Sequence, residues 1–393
     1  MKNKIYLVGI TAFLLVWFGL TGAAWFGNSA DYSKEQRRPL AQAPKLDWDT
    51  IVAKDVMKED GTVETAKSFK TLFQDYTLDQ FPLRQPLRRL KSAFSTYVMG
   101  QRDESGLYVQ NGYAAEHLYP LNETALKRNV KVMQDLSGND VFKNNNIYTA
   151  VIPDKGYFIG DAHGYPNVDY QHIFQSVQEG VPNATYIDLT KVLQLEDYYY
   201  SDTHWTQDRI VPVAQALGEA MGVTVDDESA YTKEKIDQPY YGVYYGASLP
   251  MKADTMYLMH SEVLDGCTVR LFSEKGATPM QHKWEEFAFY DMSKTELKEG
   301  NEDLYNIFFS NNQTMIQITN PKGPKGKELI VFGDSYARSL VPLLVSGYSK
   351  VTLIDMRIKL IHPFLDQYLR AFPKRDVLFI YGAVTLNGSI VAS

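Results

Sequence analysis

Glu328-Leu329-Ile330-Val331-Phe332-Gly333-Asp334-Ser335-Tyr336 is the stretch from which the fold of this chain can be read. Its apolar, partly β-branched run reads as a buried strand over 328–332. Gly333 then lets the backbone turn sharply, and 336–345 has the apolar spacing of a helix despite Pro342. A strand, a tight turn and a helix in that order belong to a parallel α/β sheet, which gathers its sites at the carboxyl ends of its strands.

The same rhythm extends on both sides. Downstream, 351–355 reads as a strand, 362–372 as a helix and 376–381 as a closing strand. Upstream, the apolar run 146–152 reads as a strand, 168–179 as a helix and 184–189 as a second strand, which together make a βαβ unit. Residues 63–100 have helical spacing interrupted by Pro82 and Pro86. The stretch 226–327 lacks the rhythm. Its Tyr-rich and Met-rich runs at 240–249 and 255–259 read as β-structure inserted into the sheet or packed against it.

Chemistry enters at Ser335. A serine that follows a strand-Gly-Asp turn opens a helix with its hydroxyl accessible. The N–H groups of Ser335 and Tyr336 then lie near the positive helix end, where they can stabilise an oxyanion. Gly-Asp-Ser is also a common capping turn, so the tripeptide does not decide between the two readings. The second motif is Ser201-Asp202-Thr203-His204-Trp205-Thr206. In extended chain, residues two apart project to one side, so Asp202 can hold the His204 ring while its other nitrogen takes a proton from a serine. A polar turn capping a helix over 206–221, kinked or delayed by Pro212, is the competing reading. Asp161-Ala162-His163 has the same spacing between Gly160 and Gly164, but lacks the aromatic residue and the helix that follow His204. Together the two halves form the nucleophile and base of covalent acyl transfer: Ser335, His204 and Asp202.

Composition narrows the partners. A formal charge of -7 argues against nucleic acid, whose binders carry a basic excess. The single cysteine, Cys267, leaves no internal disulfide, and 7 scattered histidines with no second ligand beside either Asp-x-His pair give no metal site. No cofactor is expected. The 27 tyrosines are enough to furnish flat platforms for sugars, although any one of them fits the core edge as well.

The N-terminus sets the compartment. Residues 1–4 form a short basic tail with Lys2 and Lys4. The uncharged run 5–26 is long enough to cross about 30 Å of hydrocarbon as a helix. Trp25 and Phe26 close it like an interfacial aromatic belt, which favours a retained anchor. Gly22, Ala23 and Ala24 keep a cleaved signal open. Lys34, Arg37 and Arg38 place positive charge on the far flank too, yet either reading exports the rest of the chain. Residues 27–70, polar and with Pro39 and Pro44, read as a linker before a catalytic domain over 71–393.

Gly333-Asp334-Ser335 together with Asp202-Thr203-His204-Trp205 resembles the DHHW/alginate O-acetylation group of SGNH-hydrolase-like proteins. In that group the Asp-His element precedes the serine, a circular permutation of the usual SGNH order. The run from Tyr241 to Leu249 and the closing segment with Thr385-Leu386-Asn387 are similar as well, so the likeness runs from about Thr71 onward. Thr203 stands where the family name has a second histidine. The Gly and Asn blocks of ordinary SGNH hydrolases are missing at their usual spacings, so Asn387, Gly333, Tyr336 and Trp205 are the remaining candidates for oxyanion or substrate contacts. The resemblance implies a three-layer SGNH-like fold with a mostly parallel sheet and a β-rich insertion at 226–327. It implies a membrane-anchored, extracytoplasmic O-acetyltransferase that carries acetyl on Ser335 to hydroxyls of a cell-surface polysaccharide. It also implies a membrane-bound O-acyltransferase as acetyl donor. An extracellular esterase or glycan deacetylase, and a non-catalytic glycan-binding surface protein, are the alternatives the motifs leave open.

Overall fold

The computed structural model describes the chain except residues 1, 28, 53–55, 58–62, 65–66, 102, 105, 161–163, 165, 248, 274–282, 297–302, 311–312, 359–374 and 392–393. The Asp161/His163 pair and the helix expected over 362–372 lie outside the described residues. The chain divides into two compact units, Met1–Arg102 with Gly246–Pro250, and Asp103–Tyr245 with Met251–Ser393.

The first unit begins with helix α1 (Lys2–Phe26). Its window Tyr6–Ala23 is long and apolar enough to cross a membrane, and none of that window is buried. Helix α2 (Phe69–Asp79) starts at Ser68, whose hydroxyl accepts from the Thr71 N–H. Trp25 at the foot of α1 donates its indole N–H to Thr77 of α2 at 3.2 Å, and its ring lies 5.4 Å from that of Phe73. Asp79 ends α2 as a hub. It takes both guanidinium nitrogens of Arg38 at 2.6 and 2.8 Å and the Ala41 N–H at 2.9 Å. Hydrogen bonding to Arg38 holds its carboxyl below the usual range against the opposing effect of burial. Helix α3 (Arg84–Tyr97) follows, with Pro86 tolerated in its first turn.

The second unit is built on an eight-stranded sheet. In chain order its strands are β1 (Asn146–Ile152), β2 (Thr185–Ile187), β3 (Thr268–Ser273), β4 (Lys283–Phe287), β5 (Met315–Thr319), β6 (Glu328–Gly333), β7 (Lys350–Ile354) and β8 (Asp376–Gly382). Across the sheet they run β4-β3-β5-β7-β6-β8-β1-β2. The five strands from β7 to β2 are parallel, while β5, β3 and β4 continue the sheet antiparallel. The stretch 226–327 therefore supplies three strands of the main sheet, besides a hairpin pairing Thr232–Lys235 with Tyr257–His260.

Side chains of period two explain the layers. Ala150, Ile152, Leu329, Val331, Leu378 and Ile380 face one core, shared with helices α6 (Val211–Ala220) and α7 (Tyr336–Leu344). Ile147, Val151, Ile330, Phe332, Val377 and Phe379 face the other, shared with α4 (Glu123–Ser137) and α5 (Tyr170–Gly180). A sheet covered on both faces needs near-continuous apolar strands, which is how β6 and β8 read.

One local expectation is decided between its two alternatives, Pro212 delaying the helix rather than kinking it, and another changes. The helix after His204 starts as a 3-10 turn, Gln207–Arg209, and becomes α-helical only at Val211, with Pro212 in its first turn. Among its described residues, the run 240–249 is not strand. It makes one bridge, Tyr240 to Asp254, followed by a 3-10 turn over Val243–Ala247.

Candidate active site

Strands β6, β8 and β1 end side by side, with Gly333 opposite Ile380 and Gly382 opposite Ile152. Their carboxyl ends deliver Asp334-Ser335, Gly382-Ala383 and Pro153-Asp154-Lys155 to one edge of the sheet. Gly333 is required there for space. A Cβ on it would lie 2.7 Å from the Cβ of Ala337 and 3.1 Å from the Ile380 carbonyl oxygen.

Within Gly-Asp-Ser, the capping bonds and the contact with His204 fall on different residues. Asp334 is the cap and clip. Its Oδ1 accepts from the Tyr336 N–H at 3.1 Å, and its Oδ2 accepts from the Gly382 N–H at 2.8 Å and the Thr385 hydroxyl at 2.7 Å. Ser335 is left to face His204. Its backbone is helical (φ -62, ψ -24), its side chain makes no cap, and Oγ lies 2.7 Å from His204 Nε2.

Asp202 stands behind the ring. Its Oδ1 accepts from His204 Nδ1 at 2.5 Å and from the His204 N–H at 3.0 Å, and its Oδ2 accepts from the Val243 N–H at 2.8 Å. With Nδ1 committed to a carboxylate, Nε2 is the acceptor for the Ser335 hydroxyl. Asp202 is fully buried and His204 nearly so. Burial pushes the Asp202 carboxyl up, but the attraction of His204, the bonds from its ring and backbone, and the Val243 N–H outweigh it and hold the carboxyl well below the usual range.

Three further groups fix this loop. The Tyr305 ring stacks on the imidazole, centroids 3.8 Å apart at 9°, and its hydroxyl donates to the Ser335 carbonyl at 3.2 Å. Asp254 takes the N–H groups of Tyr200 and Ser201 at 2.7 and 2.8 Å and the Ser201 hydroxyl at 2.6 Å. Lys155, buried at the end of β1, donates to the carbonyls of Tyr199, Tyr200 and Asp202 at 2.8, 3.2 and 2.6 Å. Burial pushes its ammonium down to about 7, against the attraction of Asp202, Asp254 and Asp154. Neither Lys155 nor Asp254 was found from the sequence, because their partners, mostly main-chain groups, lie about 44 to 54 residues away. A lysine three residues past a largely apolar strand, in Pro153-Asp154-Lys155, was the available signal for the first.

The structure brings Ser335, His204 and Asp202 together and gives the remaining candidates other duties. The Tyr336 N–H is held by Asp334, so it is not free for the oxyanion contact expected of it. The N–H of Ser335 donates to no group among the described residues. The Tyr336 hydroxyl donates to the Thr203 carbonyl at 2.6 Å. Trp205 is entirely buried and gives its indole N–H to Tyr336 O and Ser339 Oγ at 3.2 and 2.9 Å, which makes it a tether in the core rather than a surface for substrate. The Asn387 amide accepts from the Asn122 N–H at 2.6 Å and donates to the Leu118 carbonyl at 3.4 Å, so both ends of its side chain are occupied with main-chain groups. Cys267 packs against the core with its thiol pushed up to about 11 by burial. Among the described residues no group of three histidines, cysteines or carboxylates is arranged to hold a metal.

No protein-family model matches the sequence, and no curated protein matches it either. Solved structures do resemble the chain. A DHHW family protein from Eubacterium siraeum DSM 15702 aligns with a TM-score of 0.58 and 18% identity, over 73% of this chain and 95% of that one. Bacillus cereus PatB1 with a sulfonyl adduct aligns with a TM-score of 0.55 and 15% identity, over 72% of this chain and 98% of its own. A second structure of Bacillus cereus PatB1 gives 0.54 at 15% identity over the same shares. Likeness at this identity establishes a common fold. The structural neighbours thus include the group that the Asp-Thr-His-Trp and Gly-Asp-Ser motifs resemble.

Proposed function

We propose that this protein is a membrane-anchored O-acetyltransferase that moves acetyl groups to hydroxyls of a cell-surface polysaccharide through an acetyl-serine intermediate. The observation that carries the reading is the 2.7 Å approach of His204 Nε2 to Ser335 Oγ, with Asp202 bonded to the other ring nitrogen. The resemblance of both motifs to the DHHW/alginate O-acetylation group suggests the acetyl group and the glycan, and the fold shared with a DHHW family protein agrees with that resemblance. An SGNH-type catalytic domain, extracytoplasmic and beginning near residue 71, belongs to the same reading, as does an acetyl donor of the membrane-bound O-acyltransferase kind.

The chemistry runs in two balanced halves. Ser335 Oγ attacks the donor's acetyl carbonyl while its proton passes to His204 Nε2. The tetrahedral oxyanion faces the Ser335 N–H, and the departing group takes the proton from His204 as its bond to the acyl carbon breaks. A sugar hydroxyl then gives its proton to His204 and attacks acetyl-Ser335. Ser335 Oγ leaves and recovers that proton. Asp202 stays ionised throughout and stabilises the imidazolium in each half. Tyr305 and Tyr336 remain neutral phenols, because burial pushes both well up.

The test uses the full chain in detergent with a small acetyl ester, with and without oligosaccharides. Intact mass should show one acetyl, or one sulfonyl after treatment with an aryl sulfonyl fluoride, mapped to Ser335. Acetylated sugar should accumulate, and Ser335→Ala should lower turnover by about 10⁴ to 10⁶. Acetate as the sole product would make the protein an esterase. Turnover that survives Ser335→Ala unchanged would end the triad reading and favour a binding protein.

A further inference from the structure

Helix α3 has its polarity turned inside out. Successive residues on a helix are 100° apart, so Leu83, Leu87, Leu90, Phe94 and Tyr97 form one stripe along it. In a globular protein such a stripe faces the core. Here these residues are 65, 42, 66, 53 and 74% exposed. The opposite face, centred on buried Ser92, carries the polar side chains inward. Arg84 donates to Gln36 at 2.6 Å and lies 3.2 Å from Asp79, Gln85 reaches Ser33 at 3.2 Å, and Arg88 donates to the Gly246 carbonyl at 2.9 Å. The helix is pinned by its arginines and offers its hydrocarbon outward, an arrangement that water disfavours and that marks a surface with an apolar partner.

Two observations say what that partner is. The same compact unit carries the exposed apolar span Tyr6–Ala23, whose foot is tied to α2, the helix next to α3 in sequence, through Trp25 and Thr77. Residues 81–100 also contain four cations and no acid, in a chain whose net charge is -7; Arg84 and Arg88 are the inward pins, and Arg89 lies 3.2 Å from Glu35. Hydrocarbon flanked by cations is the chemistry of the boundary between acyl chains and anionic headgroups.

We infer that α3 lies in the lipid interface, its Leu83-Leu87-Leu90-Phe94-Tyr97 stripe sunk among the acyl chains beside the α1 span. This rests on the reading of α1 as a membrane span and adds a second, lateral membrane contact to it. A protein partner or a second copy of this chain is the competing occupant.

The test reconstitutes the full chain in vesicles of phosphatidylcholine and phosphatidylglycerol. Leu90→Cys and Phe94→Cys, each with Cys267→Ser, are labelled with an environment-sensitive dye. Lys131→Cys, on the exposed face of α4, serves as the control. Flotation reports on α1 and quenching by shallow spin-labelled lipid reports on α3, so the two readings fail separately. Blue-shifted emission at 90 and 94, quenched severalfold by the lipid label while 131 is not, is the expected result. A chain that floats while 94 is as wet as 131 overturns the inference and leaves the anchor standing. Shielding at 94 that ignores the lipid label and grows with protein concentration assigns the stripe to a second copy and overturns it too. A chain that does not float removes both readings.

Discussion

Three carbonyl oxygens converge on the ammonium of Lys155, and one of them belongs to Asp202. A methionine there would keep most of the volume and abolish the donors, leaving buried acceptors that cost about 1–3 kcal/mol each. The loop would relax, and a shift of about 1 Å in a catalytic group can cost about 100-fold. Lys155→Met should therefore lower kcat by about 100-fold with KM little changed, a split that a general loss of stability would not give. Steady-state kinetics on the acetyl ester measure it. Linkage gives the same variant a second signature. Between about 7 in the folded protein and about 10.4 unfolded, the unfolded chain holds the extra proton, so wild-type stability gains with rising pH in that window. The methionine variant lacks this gain, and urea midpoints at the two ends should show the gap widening toward high pH. A Lys155→Met enzyme with wild-type kcat would reduce the lysine to a packing residue.

At the scale of elements, the segment after Tyr240 explains both a miss and a mechanism. Its composition suggests a strand, but its N–H groups serve the Asp202 loop instead of a ladder. Gly242 donates to the Ser201 hydroxyl at 2.9 Å, Val243 to the Asp202 carboxylate at 2.8 Å and Tyr244 to the Ser201 carbonyl at 3.1 Å. Such an approach leaves no room for a side chain. A Cβ on Gly242 would stand 2.2 Å from that of Asp202 and 2.5 Å from the Ser201 carbonyl oxygen. Gly242→Ala should thus push the carboxylate off His204 and lower kcat by about 10²-fold or more while the secondary structure survives. Parallel measurement of circular dichroism and ester turnover decides it, and full activity would refute the buttress. What was legible in the sequence follows from this contrast. Strands β1, β6 and β8 and the serine turn are local signals of apolar runs and glycine. The Ser-His-Asp grouping was readable because each half carries its own chemistry. The buttress of Gly242, Asp254 and Lys155 was not, since only tertiary folding gives those residues their partners.

For the whole molecule, the order of strands matters more than any one contact. β8 is the last strand of the sheet along the chain, yet it lies between β6 and β1, paired in parallel with both, and all seven of its residues are buried. A chain ending before Asp376 would keep every other strand and lose the centre. It should express as aggregated material without near-ultraviolet dichroism, whereas a soluble product that unfolds cooperatively would show that the halves fold independently. The same wiring bears on biosynthesis. Until residue 382 has emerged from the ribosome, the serine turn and the Asp-His loop sit on fragments with open edges that cannot close on each other. On the proposed export reading, a polypeptide threaded through a secretion pore from its N-terminus would travel without a finished domain to jam the passage. On the same reading the approach of Ser335 to His204 forms only after transit, and until then the open edges of β6 and β1 are where unwanted strand pairing must be held off.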